Sequence, residues 1–206
     1  MRSIIFLFIL SSLQVFAQEY KSIKDPNDCK DKLEKKHQNL NSVQADFTES
    51  THTALLSTPQ KASGKMYYKK TNKIRWEKSK PTSQIILMNG KNIRIQENGK
   101  EVSDATTKAT MKRIQTMMVN MMTGSFLNEV EFSIKYSESS VNYKLNLTPK
   151  NDKLKRYIQE IVLVFRKSDC DLKELTLVSS STNKIVYTFS NMVHNESILE
   201  TLFTKF

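Results

Sequence analysis

A two-residue rhythm of apolar and polar side chains, repeated in segment after segment from Val43 onward, constrains the fold of this chain more than any other feature. Val43, Ala45 and Phe47 alternate with Gln44, Asp46 and Thr48; Met66 and Tyr68 with Lys65, Tyr67 and Lys69; Ile74 and Trp76 with Lys73, Arg75 and Glu77. Successive side chains of a strand point to opposite faces, so each segment presents one apolar and one wetted face. Two Asn-Gly pairs, Asn89-Gly90 and Asn98-Gly99, lie between extended segments and suit the left-handed backbone of tight hairpin turns. Further strands are expected at 130–138, 141–149, 157–166, 172–179 and 184–190, with Ile161, Leu163 and Phe165, or Leu175 and Leu177, carrying the alternation.

Two stretches change period. Asp28 is placed to cap a helix running to Leu40 behind Pro26, with Leu33, His37 and Leu40 on one face. From Asp104, residues Met111, Ile114, Met117, Met118, Met121 and Met122 recur at spacings of three and four until Gly124 supplies a stop. Together these elements predict an α+β fold, a large curved antiparallel sheet with helices over one side. The concave apolar face of such a half-barrel must be filled by side chains, by the helices or by a ligand. Five of the nine methionines fall in the second helix. Flexible thioethers adapt to ligands of irregular shape, and they equally fill gaps in an ordinary packed helix.

The start of the chain reads as an export signal. Arg2 precedes an apolar run from Ile4 to Leu10, too short to span a bilayer, and Val15-Phe16-Ala17 resembles a peptidase site, so residues 1–17 are expected to be removed and Gln18 to become the first residue. No Cys stands at that junction to carry acyl chains, so no membrane anchor is expected there. The remainder, 18–206, has the length of one domain, without repeats, low-complexity segments or a linker. A formal net charge of +11 comes from lysines and arginines scattered along the chain. Such a surface is commonly just solvated, although it also attracts anionic headgroups; no nucleic-acid recognition motif is present. Export leaves two alternatives for Cys29 and Cys170: a disulfide, or two separate thiols.

Signals of catalysis are sparse. His37, His52 and His194 show no metal-ligand spacing, and there is no nucleophile elbow, phosphate-binding glycine loop or Cys-x-x-Cys pair. Asp46 and Glu49 read as solvent-facing carboxylates rather than a catalytic pair. The expectation is a non-enzyme that uses neither metal nor cofactor.

The motifs Ala45-Asp46-Phe47, Gly64, Ile74-Arg75-Trp76-Glu77, Pro81 and Asn89-Gly90-Lys91, followed by Ile161-x-Leu163-x-Phe165, Leu175-x-Leu177, Tyr187-x-Phe189-Ser190-Asn191 and Phe203, occur in an order and spacing that resemble the LolA-type periplasmic lipoprotein carriers. The resemblance covers most of the chain after the signal. It implies an unclosed antiparallel β-barrel with a helical lid on its concave side, a periplasmic location, and an apolar cavity that shields lipoprotein acyl chains. It also implies an inner-membrane ABC transporter as donor and an outer-membrane acceptor, with the carrier itself a monomer. A related soluble binder of another lipid or acylated intermediate is the alternative. Candidate cavity residues are Phe47, Met66, Tyr68, Ile74, Trp76, Ile86, Ile93 and Ile95, with Met117, Met118 and Met121 from the lid. Where the family carries an Arg-Pro pair linked to lid opening, this chain has Lys70-Thr71, which makes Lys70 the candidate for lid control.

Overall fold

The alternating segments become one twelve-stranded antiparallel sheet in the computed structural model, which describes residues 19–70, 72–104, 127 and 129–206. The first half runs as β1 (Lys21–Ser22), α1 (Asn27–Gln38), β2 (Ser42–His52), β3 (Gln60–Lys69), β4 (Lys73–Lys80), β5 (Gln84–Asn89), β6 (Asn92–Glu97) and β7 (Lys100–Glu101). The second half runs as β8 (Phe132–Glu138), β9 (Asn142–Pro149), a one-turn α2 (Asp152–Lys155), β10 (Glu160–Arg166), β11 (Leu172–Val178), β12 (Lys184–His194) and a 3₁₀ turn at Glu200–Phe203. The five strands expected after residue 130 therefore all form, with ends shifted by a few residues.

Strand order across the sheet is β1-β8-β9-β10-β11-β12-β2-β3-β4-β5-β6-β7. Two meanders, β2 to β7 and β8 to β12, are joined where β12 pairs with β2, so the last long strand of the chain lies beside the first. β1 and β7 stand at opposite edges, and the sheet is an open half-barrel. The Asn-Gly expectation holds in detail at the second pair: Asn98 (φ 48°) and Gly99 (φ 79°) are both left-handed between β6 and β7, as a two-residue hairpin turn of the favoured hand requires. At the first pair only Gly90 is left-handed (φ 61°), since Asn89 still belongs to β5.

Helix α1 differs from expectation at both ends. Pro26 occupies the N-terminal flank with no side-chain cap, and Asp28 sits inside the first turn, where it pairs with Lys32 at 2.7 Å. A carboxylate there still meets the positive end of the helix dipole. The helix stops at Gln38, and Leu40 is buried in the segment that leads to β2. Cys29 and Leu33 point into the sheet, the His37 ring meets Phe165 edge-on at 6.3 Å, and the Lys30 ammonium lies 5.3 Å from the Tyr136 ring centre. α1 thus lies across the concave side of the second meander. The methionine helix expected to cover that side as well, including Met117, Met118 and Met121, lies outside the described residues, as do the signal segment and its cleavage site at Ala17.

Of the two alternatives for the cysteines, the structure shows the free thiols: Cys29 is buried and Cys170 half-buried. Burial pushes the Cys29 thiol up to about 12, with the nearby Cys170 and Asp28 adding to the effect.

Candidate apolar binding face

Strand register decides which side chains share a face, and it places the eight candidate cavity residues of the first meander on the same one. Ala45, Met66, Trp76, Ile86 and Ile95 pair in a single transverse row from β2 to β6, and Val43, Tyr68, Ile74, Met88 and Ile93 form the next. Phe47 lies one step further along β2, opposite Gly64 and Phe189. All but Ile93 are at most 6% exposed; Ile93 is partly buried against the same cluster. The face continues where sequence reasoning named no site residue. Tyr136, Leu145, Leu163, Leu175 and Tyr187 pair across β8, β9, β10, β11 and β12 as one more row of the same parity. The Leu163 and Leu175 alternation was visible in the sequence, but nothing local indicated that these strands join the first meander's face through β12.

At the centre of the wall the Phe47 ring stacks on Trp76 with centroids 4.1 Å apart, and Tyr187 and Phe189 meet Trp76 edge-on at 5.2 and 6.3 Å. Gly64 makes this stack feasible. A Cβ at that position would lie 1.9 Å from the Glu77 carbonyl oxygen and 2.8 Å from the tip of Phe47, so only glycine lets β3 and β4 close beneath the ring. Aromatic rings in offset or edge-on contact form a rigid apolar floor.

One polar group interrupts this wall. Glu49, read from sequence as solvent-facing, follows Phe47 by two residues, shares its parity and is 9% exposed. Its Oε1 lies 3.0 Å from the Lys78 ammonium and 3.3 Å from the Thr51 hydroxyl, and Tyr187 stands opposite it on β12. Burial, with Glu49 beside it, pushes the Tyr187 phenol well above its ordinary value. Asp46, by contrast, faces outward and pairs with Lys65 at 2.6 Å, as expected.

Lys70 is exposed, and its ammonium donates to the carbonyl of Gln38, the last residue of α1, at 3.4 Å. A cation at a helix C-terminus meets the negative end of the dipole. A second tether of α1 is built on the buried Asp171, whose Oδ1 lies 2.9 Å from Lys36 of α1 and 2.9 Å from His194 Nε2, while Oδ2 takes a bond from Arg166 at 3.0 Å. Desolvation dominates at His194 and lowers its pKa despite Asp171. Among the described residues no His, Cys, Asp and Glu cluster could hold a metal ion, and no helix is long and apolar enough to cross a membrane.

The convex side of the first meander is closed by the chain's own end. The Arg75 guanidinium donates to the Leu202 and Lys205 carbonyls at 3.2 and 2.8 Å, Glu200 bridges Lys69 and Lys73 at 2.6 Å each, and Phe203 is 1% exposed. The Lys69 and Lys73 hydrogen bonds hold the Glu200 carboxyl down to about 2.

An open half-barrel with an apolar inner wall and a helix laid across it is the architecture that the sequence resemblance implied. The chain belongs to the LolA family: the family model "Outer membrane lipoprotein carrier protein LolA" matches residues 38–205. It is similar to an outer-membrane lipoprotein carrier protein of Coxiella burnetii strain CbuK_Q154, 27% identical over 200 residues that cover 97% of this chain and 88% of that protein. The counterpart from strain RSA 331 / Henzerling II is 26% identical with the same coverage. Among solved structures, a LolA superfamily protein from Nitrosomonas europaea aligns with a TM-score of 0.43 at 12% identity, covering 87% of this chain and 97% of that one. MucB aligns with a TM-score of 0.46 at 13% identity, covering 87% of this chain and 62% of its own.

Proposed function

We propose that this protein is an exported, monomeric carrier that holds the acyl chains of lipoproteins against the apolar concave wall while they cross the periplasm from the inner to the outer membrane. The observation that supports this most is the shared inward parity of apolar side chains across both meanders, in a chain of the lipoprotein-carrier family. Acyl chains in water are costly, about 0.8 kcal/mol for each exposed CH₂, so transit requires a sheath. Transfer of this kind needs no nucleophile, metal or cofactor; an ABC transporter would load the carrier and an outer-membrane acceptor would unload it.

The wall is closed to water in this structure, with Phe47, Met66, Tyr68 and Ile74 each 1% exposed, so loading requires covering groups to move. α1 is one such group, and the Lys70 bond to Gln38 is a contact that opening would break. We assign Lys70 the lid-control role on that ground, and Met117, Met118 and Met121 the role of adaptable lid contacts.

Trp76 is the chain's one tryptophan, which makes it a built-in reporter. Titration with a diacylated lipopeptide whose chains carry bromine should quench Trp76 emission strongly, since bromine quenches at near contact, whereas the unbrominated lipopeptide should not. Equal emission with both ligands at saturation would place the acyl chains elsewhere and overturn the reading.

A further inference from the structure

We propose that the inward ion pair of Glu49 and Lys78, beside Tyr187, forms a subsite for the polar neck of an acylated ligand: the ester and amide carbonyls that join acyl chains to a headgroup. The inference rests on the carrier reading above and extends it from the chains to the group that bears them.

Position is the first argument. Lys78 follows Trp76 by two residues on β4, as Glu49 follows Phe47 on β2, so the pair begins where the stacked aromatic floor ends. Tyr187 joins the two: its ring meets Trp76 edge-on, and it pairs in register with Glu49 across β12 and β2. An amphiphile whose chains lay on that floor would bring its neck to this place.

Chemistry is the second. The side chains of Lys78 and Glu49 are only 20% and 10% exposed. Burying two charges costs several kcal/mol each, and packed apolar groups in their place are often as stable or more so. Packing alone therefore does not call for an ion pair in an otherwise apolar wall. The Lys78 ammonium carries three N–H donors and, among the described residues, gives one to Glu49, which leaves donors for a ligand. Ester and amide carbonyls only accept, so a fixed, desolvated donor is their complement, and the Thr51 bond to Glu49 helps to hold the pair in place.

Room is the third. An open recess of about 430 Å³, lined by Glu49, Ala62 and Lys80 and also by Thr48 and Ser50 of the opposite parity, reaches the pair at Glu49. A headgroup or peptide that must stay in water has space there while its neck is held.

Two sources share this chemistry, the acylated N-terminus of a lipoprotein and the glyceryl esters of a phospholipid, and one experiment separates them. The mature chain and its Lys78→Met, Lys78→Arg and Glu49→Gln variants are titrated with a diacylated lipopeptide, with a phospholipid of equal chain length, and with a hydrocarbon fluorophore that has no carbonyl. A charge-assisted hydrogen bond contributes roughly 1.5 kcal/mol or more, so Lys78→Met is expected to weaken binding of at least one ester ligand about tenfold or more. Fluorophore affinity should stay within about twofold, which also reports that the variant is folded, and Lys78→Arg should retain most of the ester affinity. The ligand that loses affinity identifies the source. Equal ester affinity in the wild type and in Lys78→Met, or a parallel loss for esters and fluorophore, would overturn the subsite alone. If the wild type binds neither ester ligand, the carrier reading falls and the subsite with it.

Discussion

Trp76 carries the clearest single-residue consequence. It is 6% exposed and touches Phe47, Tyr187 and Phe189. Trp76→Ala should lower stability by about 3–5 kcal/mol, read from the shift of the urea midpoint at constant slope. Gly64→Ala adds one methyl group yet should be at least as damaging, because the clash is with the Glu77 backbone carbonyl rather than a flexible side chain. A thermal melt of Gly64→Ala indistinguishable from wild type would refute that account of the strand closure. Sequence reading of which face a side chain takes held where type and parity agreed, as at Phe47, Met66, Ile74 and Trp76, all buried on one side of the sheet. At Glu49 they disagreed: a charged residue was assigned to solvent, although its spacing from Phe47 placed it inward. The partners that let it stay there, Lys78 and Tyr187, are distant in sequence and come together only through the pairing of β2 with its neighbours.

At the scale of elements, α1 is anchored by its buried face and by its tethers to Asp171 and Lys70. Leu33 is fully buried beneath it, so Leu33→Ala should cost about 2–5 kcal/mol and, by loosening the helix, raise the binding rate of an apolar fluorophore. Desolvation of His194, beside the Asp171 tether, makes the fold sensitive to acid. His194 has a lowered pKa in the folded state, through desolvation first, with Lys36 also lowering it and Asp171 and Asp169 opposing. The unfolded chain then binds the proton more readily, so stability is full above the unfolded value near 6.5 and falls as pH drops below it. Melting temperature should decline between pH 7 and 5.5, and His194→Gln should flatten that slope; an unchanged slope would show that His194 is not the titrating group. The Glu200 clamp acts in a lower window. Its carboxyl, held down by Lys69 and Lys73 to about 2, contributes stability that is present above the ordinary glutamate value and lost as pH falls toward 2. Element types were legible because period two and period three-to-four patterns differ strongly. The end of α1 was less so, because the apolar Leu40 stays buried after the helix has ended.

At the scale of the molecule, the half-barrel follows from two meanders that share a face. Local turns made each meander readable, but their union through β12 and β2 is a pairing between distant parts of the chain, visible beforehand only through resemblance to the family. The same union gives the wall its width, from Tyr136 to Ile95, the width that the proposed carrier would use to shelter acyl chains. The most direct test of the carrier claim is to purify the mature protein from its native envelope without detergent and identify the bound species by mass spectrometry. The account predicts acylated lipoprotein peptides or intact lipoproteins in stoichiometric amount, released by competing amphiphile. Protein that carries no acylated species, and that takes up neither lipopeptide nor apolar fluorophore when offered them, would contradict it.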